Sequence, residues 1–172
     1  MCVFLTTLLA SAASLLFASS HAGKLPVVYQ FSNLTWLENI AAIRNGSLLV
    51  TVIGRPEVHI VNPLVSPSAT SLAATIPAVN ADSGITELSD DVFAAAVGNS
   101  TTDNAPVPGS FSVWSIDLTS RHAAAKVEKV ADIPGVGMIN GMAAVDKRTL
   151  LLADSWMGNI ASLDVKSGKS NI

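Results

Sequence analysis

Cysteine is almost absent from this sequence. The only one in 172 residues is Cys2, in an apolar N-terminal stretch. Beyond that stretch, disulfides and thiol chemistry are excluded, and stability must come from packing alone. Charge is also scarce, at 13% of residues with a net charge of -3. No basic run exists to neutralise phosphates, which argues against nucleic acid as a partner. No acidic tail exists either. Histidine occurs only at His21, His59 and His122, with no pair at metal-ligand spacing and no recognisable triad. Beyond the N-terminal stretch, no segment carries a long 3.6-residue periodicity with caps, so helices are not expected.

What is present is aliphatic. Apolar residues make up 49% of the chain and aromatics only 5%. The length fits one domain with a real core. Residues 1–22 read MCVFLTTLLASAASLLFASSHA, and their apolar part, 3–17, is short for a membrane span. Ser20 and Ala22 place small residues before a cleavage point, although Lys and Arg are missing from the n-region. The reading is a cleaved secretory signal peptide over 1–22 and one domain over 23–172, with no membrane contact after cleavage. An uncleaved anchor is the alternative. Asn33, Asn45 and Asn99 each open an Asn-x-Ser/Thr tripeptide and are the candidate glycosylation sites. Together with the signal they predict a secreted glycoprotein.

The rest reads as short strands that recur in order. VVYQF (27–31) is β-branched and aromatic, and FSVWSIDL (111–118) alternates apolar and polar residues. Aligning Ile40, Ile85 and Met142 superimposes NIAAI, GITEL and GMAAV as first strands. Each is followed by a polar turn (RNG, SDD, DKR) and an apolar second strand (LLV, VFA, LLL). Third strands VHIVN, VWSID and IASLD all end in Asn or Asp. The spacing from Ile40 to Val58 equals that from Met142 to Ile160, while the middle unit carries the insertion NSTTDNAPVPG. Fourth strands fit ATSLAATI (69–76) and AKVEKVADI (125–133). A repeating four-stranded unit predicts an all-β fold of β-propeller blades. A β-sandwich is the competing architecture, and the register of the third-strand Asn/Asp stands against it.

Propellers have about four to eight blades. This sequence holds two and a half to three, with the third expected to lack its outer strand and VVYQF available to complete a last blade. That is about half a ring: a truncated product, a fragment, or a chain that self-associates to cover exposed blade edges.

First strands of blades line a central channel, so the polar residue before each aligned strand is informative. These are Glu38, Ser83 and Asn140. Glu38 and Asn140 offer oxygen donors that suit a hard cation such as calcium, though two ligands make no site and both can equally serve strand ends. On the same face lie Asp154, as turn former, ligand or base, and Trp156, as pocket wall or blade cap. Trp36 and Trp114 read as packing residues, Met138 and Met142 as core or channel lining, and Asp90-Asp91 as a solvated turn. GVGMINGMAAV (135–145) spells G-x-G-x-x-x-G, one residue longer than the dinucleotide fingerprint, and it lacks the following helix.

Taken together, VVYQF, TWLENIAAIRNGSLLVTV, GITEL, DVFAAAVGN, GSFSVWSIDL and INGMAAV with LLLADSWMGNIASLDVKSG resemble the fungal secreted branch of the senescence marker protein, gluconolactonase and strictosidine synthase-like superfamily. The resemblance spans nearly all of residues 26–168. It implies a six-bladed propeller. Its hydrolases hold a divalent cation with a Glu that Glu38 matches and an Asn that Asn140 matches; the middle Asn has no match, Ser83 or Asp82 standing there. The branch also resembles hetero-Diels–Alderases of fungal secondary metabolism, which join a tropolone quinone methide to a terpene without needing a metal. The resulting expectation is a small-molecule enzyme, cycloaddition first, with Glu38, Ser83 or Asn140 orienting the substrate and Asp154 and Trp156 contacting it. No cofactor is required for that reading. The alternatives are a calcium-dependent lactonase or esterase, and an inactive propeller or binding module.

Overall fold

Strands account for all the regular secondary structure that is described. The structure, a computed structural model, describes residues 26–120 and 124–172. The expected signal peptide, His21 and His122 lie outside them. No helix of the described residues is long and apolar enough to cross a membrane. Twelve strands form three four-stranded antiparallel sheets, each in simple chain order. The first sheet holds β1 (Trp36–Ala42), β2 (Leu48–Ile53), β3 (Glu57–Asn62) and β4 (Ala69–Thr75). The second holds β5 (Ala81–Ser89), β6 (Val92–Gly98), β7 (Ser112–Asp117) and β8 (Lys126–Asp132). The third holds β9 (Ile139–Ala144), β10 (Thr149–Asp154), β11 (Asn159–Asp164) and β12 (Lys169–Asn171).

The recurring Asn/Asp has a local cause. Each closes a third strand and accepts a backbone N–H from the turn beyond: Asn62 from Leu64 at 2.9 Å, Asp117 from Thr119 at 2.8 Å, Asp164 from Ser167 at 2.7 Å. Such side chains imitate a backbone turn and end the strand. The crossings between sheets repeat as well. Ile76-Pro77-Ala78-Val79 and Ile133-Pro134-Gly135-Val136 share an Ile-Pro-x-Val pattern, and both isoleucines are fully buried. Ile76 N–H donates to Pro56 O at 2.9 Å and Ile133 N–H to Phe111 O at 2.8 Å.

Two strand expectations need correction. VVYQF is not a strand: residues 27–31 have no ladder partner. A strand without a neighbour leaves its backbone groups unpaired, so the segment instead lies over the first sheet. Phe31 meets His59 edge-on at 5.3 Å between ring centroids, and Tyr29 meets Phe31 at 5.1 Å. The third sheet does have an outer strand, β12, which pairs Asn171, Ser170 and Lys169 with Ser162, Leu163 and Asp164. It is short and has no apolar residue, so hydrophobic patterning does not reveal it.

The core is divided by the middle sheet. On one side Leu49, Val58 and Ala74 pack against Ile85, Phe93, Ala95, Val97, Trp114 and Ile116. On the other, Ala94, Ala96, Phe111 and Val113 pack against Ile139, Leu150, Leu152, Ala161 and Leu163. Covered on both faces, β6 is apolar at every side chain, and Ala94, Ala95 and Ala96 are small because a sheet lies close on each side. Phe93→Ala is expected to cost about 3–5 kcal/mol, read as a lower urea midpoint at unchanged slope.

Candidate functional site

The same irregularity occurs in all three first strands. Pairing passes from Leu37↔Val52 to Ile40↔Val50, from Asp82↔Val97 to Gly84↔Ala96, and from Ile139↔Asp154 to Gly141↔Ala153. In each case the first strand carries one residue more than its partner, a β-bulge. In the second and third sheets the extra residues are Ser83 and Asn140, and in the first Glu38 and Asn39 together stand opposite Thr51, so the three polar positions that the repeat alignment singles out all fall at the bulges. They belong to the strands rather than preceding them. A bulge re-aims a side chain out of the pleat, which is how a polar group gains a direction of its own amid apolar neighbours.

Hydrogen bonds join the sheets at these bulges. Thr51 Oγ1 donates to Ser83 O at 3.0 Å, from the first sheet to the second. Ser83 Oγ lies 2.6 Å from Ile139 O and 3.0 Å from Ala96 O, and its single proton favours the shorter contact to the third sheet. Asn39 Nδ2 reaches Asn140 O at 3.5 Å, a weak contact between the first sheet and the third. Ser83 is therefore a buried link between sheets, its hydroxyl engaged with backbone. Glu38 and Asn140 are half-buried, and neither side chain has a hydrogen-bond partner among the described residues.

Asp154 is a structural clamp. It is buried, and four backbone N–H groups converge on it: Gly137 at 2.8 Å on Oδ2, and Met138 at 3.0 Å, Trp156 at 3.1 Å and Met157 at 3.1 Å on Oδ1. Burial pushes its pKa up, and the four N–H bonds together outweigh that and hold it below the ordinary carboxylate value. The turn role thus occupies both oxygens. Asp154 fixes the loop leading into β9 against the β10–β11 turn that carries Trp156. The Trp156 ring is 60% exposed and lies over Gly137, where an added Cβ would come within 2.8 Å of it. It stands at the rim on the same end of the sheets as the bulges.

Asp82, which the sequence names only as an alternative to Ser83 in the place of the family's middle Asn, has a setting of its own. It is fully buried, and neither carboxylate oxygen has a hydrogen-bond partner. It pairs with Val97, which packs toward the first sheet, so Asp82 shares that face. Burial raises its pKa well above the ordinary value, against a smaller opposing contribution from the Ser83 backbone N–H. Its only sequence signal is an acidic residue preceding Ser-Gly in an otherwise apolar strand.

A cavity of about 20 Å³ lies beside Ser83, lined by Ile53, Ala81, Asn99, Phe111 and Met138 among others. That is room for about one water molecule. A larger cavity of about 280 Å³, lined by Ile43, Arg44, Ile60, Asp91 and Leu118, opens at the opposite end, away from the bulges. Of the glycosylation candidates, Asn33 and Asn45 are exposed and Asn99 is half-buried; Asn45 Oδ1 already accepts the Ser47 N–H at 2.9 Å.

The residues present do not by themselves compose a calcium site. Glu38 and Asn140 supply two oxygen-bearing groups, Ser83 is tied to backbone, and Asp154 is saturated, whereas calcium takes about six to eight oxygens. Among the described residues no three His, Cys, Asp or Glu side chains are grouped to hold a metal. No family model and no curated protein matches the chain.

Two measurements check these assignments. Asp154→Ala leaves buried N–H groups without acceptors and is expected to cost about 3 kcal/mol in urea unfolding. Asp82 acts through pH. Its folded pKa is raised, so its contribution is complete below the unfolded value of about 3.9 and is lost as pH rises through the folded pKa. The slope is at most about 1.4 kcal/mol per pH unit, and Asp82→Asn is expected to flatten the fall in stability as pH rises above about 4. An unchanged profile would show that Asp82 is not buried as an acid.

Proposed function

We propose that the three sheets are successive blades of a β-propeller and that their first strands line a channel binding a small, largely apolar molecule. The observation that carries this is the bulge repeated at Glu38, Ser83 and Asn140. One irregularity in the same place in three sheets sets Glu38 and Asn140 at one end of the channel, with Ser83 between them tied to backbone. The sequence resemblance to the fungal secreted branch of the gluconolactonase and strictosidine synthase-like superfamily supports the same reading and adds secretion and a substrate from secondary metabolism.

The reaction that suits these residues is a cycloaddition between a heterodiene and an alkene. No proton need leave either reactant, so no base of matched pKa is required. The protein's part is to hold two apolar partners close and oriented. The Asn140 amide donates to the heterodiene oxygen as it gains negative charge. Glu38 accepts from a substrate hydroxyl and sets the face presented. Ser83 acts as a positioning residue, fixing the spacing between its own sheet and the third. Asp154 holds the loop before β9, and Trp156 walls the rim over Gly137.

The test uses an ortho-quinone methide released in situ, with humulene as the alkene. The expected result is an enantiomerically enriched adduct formed faster than in buffer, with the rate falling about tenfold or more in Asn140→Ala. Racemic adduct at the buffer rate sinks the cycloaddition. Calcium-dependent lactone hydrolysis that a chelator abolishes would replace it with the hydrolase reading. Neither activity in a folded chain would leave a binding module.

A further inference from the structure

Hydroxyl-to-backbone links between neighbouring sheets lie at the bulges. At the opposite end the first and second sheets are joined across their turns by an ion pair between Arg44 and Asp90, both exposed. An exposed pair of this kind holds little. Beside it opens the cavity of about 280 Å³, whose walls come from both sheets. Ile43, Arg44, Asn45 and Ile60 belong to the first, and Asp91 and Leu118 to the second. Leu118 N–H donates to Asp91 O at 2.9 Å, which closes the second sheet's side. Ile43, Ile60 and Leu118 supply apolar surface, and Arg44 and Asp91 supply charged groups.

Asn45 opens the tripeptide Asn45-Gly46-Ser47 on the rim of this cavity. Its Oδ1 accepts the Ser47 N–H at 2.9 Å, which fixes the oxygen on the turn and leaves Nδ2 without a partner among the described residues. Gly46, at φ 86°, and the Ile43 N–H bond to Ser47 O at 2.7 Å complete the turn. The other two tripeptides are placed differently. Asn99 is half-buried and lines the cavity of about 20 Å³ beside Ser83, where no sugar fits. Asn33 is exposed on a hollow of about 310 Å³, but the segment 29–37 alone walls it, so a group there touches one segment.

We propose that Asn45 carries an N-linked N-acetylglucosamine whose ring lies in this cavity and ties the first sheet to the second at the end away from the bulges. This rests on the secretion part of the reading above. In the attachment, Asn45 Nδ2 attacks C1 of an N-acetylglucosamine carried on a lipid pyrophosphate. The C1–N bond forms and the bond from C1 to the pyrophosphate oxygen breaks. The lipid pyrophosphate leaves with the electron pair, and one Nδ2 proton passes to a base on the transferase. The modified amide keeps its Oδ1, so the bond from Ser47 N–H survives. Ser47 is only 4% exposed in the closed hairpin, so attachment precedes the pairing of β1 with β2. The cavity is close to the about 300 Å³ at which small-molecule sites begin, which suits one sugar and not a chain of them. The sugar's C–H face and acetyl methyl cover Ile43, Ile60 and Leu118 and remove apolar area from water. Arg44 and Asp91 take its hydroxyl and acetamido groups.

The test makes the full chain in a eukaryotic secretory host, once as it stands and once behind the host's own signal peptide. An endoglycosidase trims each glycan to its first sugar, and peptide mass spectrometry reads each asparagine. The expected result is N-acetylglucosamine on Asn45, in a trimmed chain that melts with the untrimmed one. Ser47→Ala removes the sugar while leaving Asn45 Oδ1 its N–H partner, and is expected to lower Tm by about 4 °C. It is also expected to speed exchange of the Leu118 N–H, across the cavity, by about tenfold. Asn45→Gln is expected to match it, and Asn33→Gln to change neither reading. Bare Asn45 in both forms overturns the proposal. Bare Asn45 only in the chain as it stands overturns it by way of the secretion reading. An occupied Asn45 whose loss in Ser47→Ala moves neither Tm nor Leu118 exchange overturns the seat, the glycan then standing in solvent.

Discussion

Everything else in this fold hangs on the contact between neighbouring first strands at their bulges. There the hydroxyls of Thr51 and Ser83 reach backbone oxygens of the next sheet. A bulge frees a carbonyl and turns a side chain, and both are used here to hold sheets side by side without a disulfide. The apolar seams supply most of the stabilisation, since they remove large side chains from water. They carry little directional information. The hydroxyl-to-carbonyl links set register between sheets, and without them the alanine-rich face of β6 could slide against its neighbours.

The same device separates structural polar groups from available ones. Ser83, buried between two sheets, is consumed by it. Asp154, one sheet further on, is consumed by four backbone donors. Glu38 and Asn140 sit at equivalent bulges yet keep their side chains uncommitted within the chain. Asp82 is the exception, a buried carboxyl that the Ser83 N–H approaches without meeting it in hydrogen-bond geometry. Such a group persists at a cost in stability, and the cost is lowest while it keeps its proton.

Much of the architecture was legible in the sequence, and for identifiable reasons. The alignment of Ile40, Ile85 and Met142 placed all three first strands, because a strand buried on one or both faces imposes a period that survives changes of side chain. The Asn/Asp at the third-strand ends was legible because turn chemistry leaves few choices. Segment 27–31 misled, since its β-branched and aromatic composition speaks of propensity and not of whether a partner edge exists. β12 was hidden because its residues are polar. The direction of the side chains at the bulges was not legible at all. A one-residue surplus shows only when two strands are laid in register, so Ser83 read as a channel residue orienting a substrate, whereas it is buried with its hydroxyl on backbone oxygens.

The division of the core by the middle sheet has a consequence for motion. Two separate apolar clusters share one sheet, so the first or the third sheet can lift away while the other seam remains intact. Partial openings of that kind expose one face of β6 at a time. Backbone amides in β5 to β7 would then exchange with solvent only through the rarest fluctuations, and the outer sheets would behave as covers on a hinge. Any molecule that binds across all three first strands would tie both covers to the centre at once, and its presence would register as slowed exchange far from the site itself.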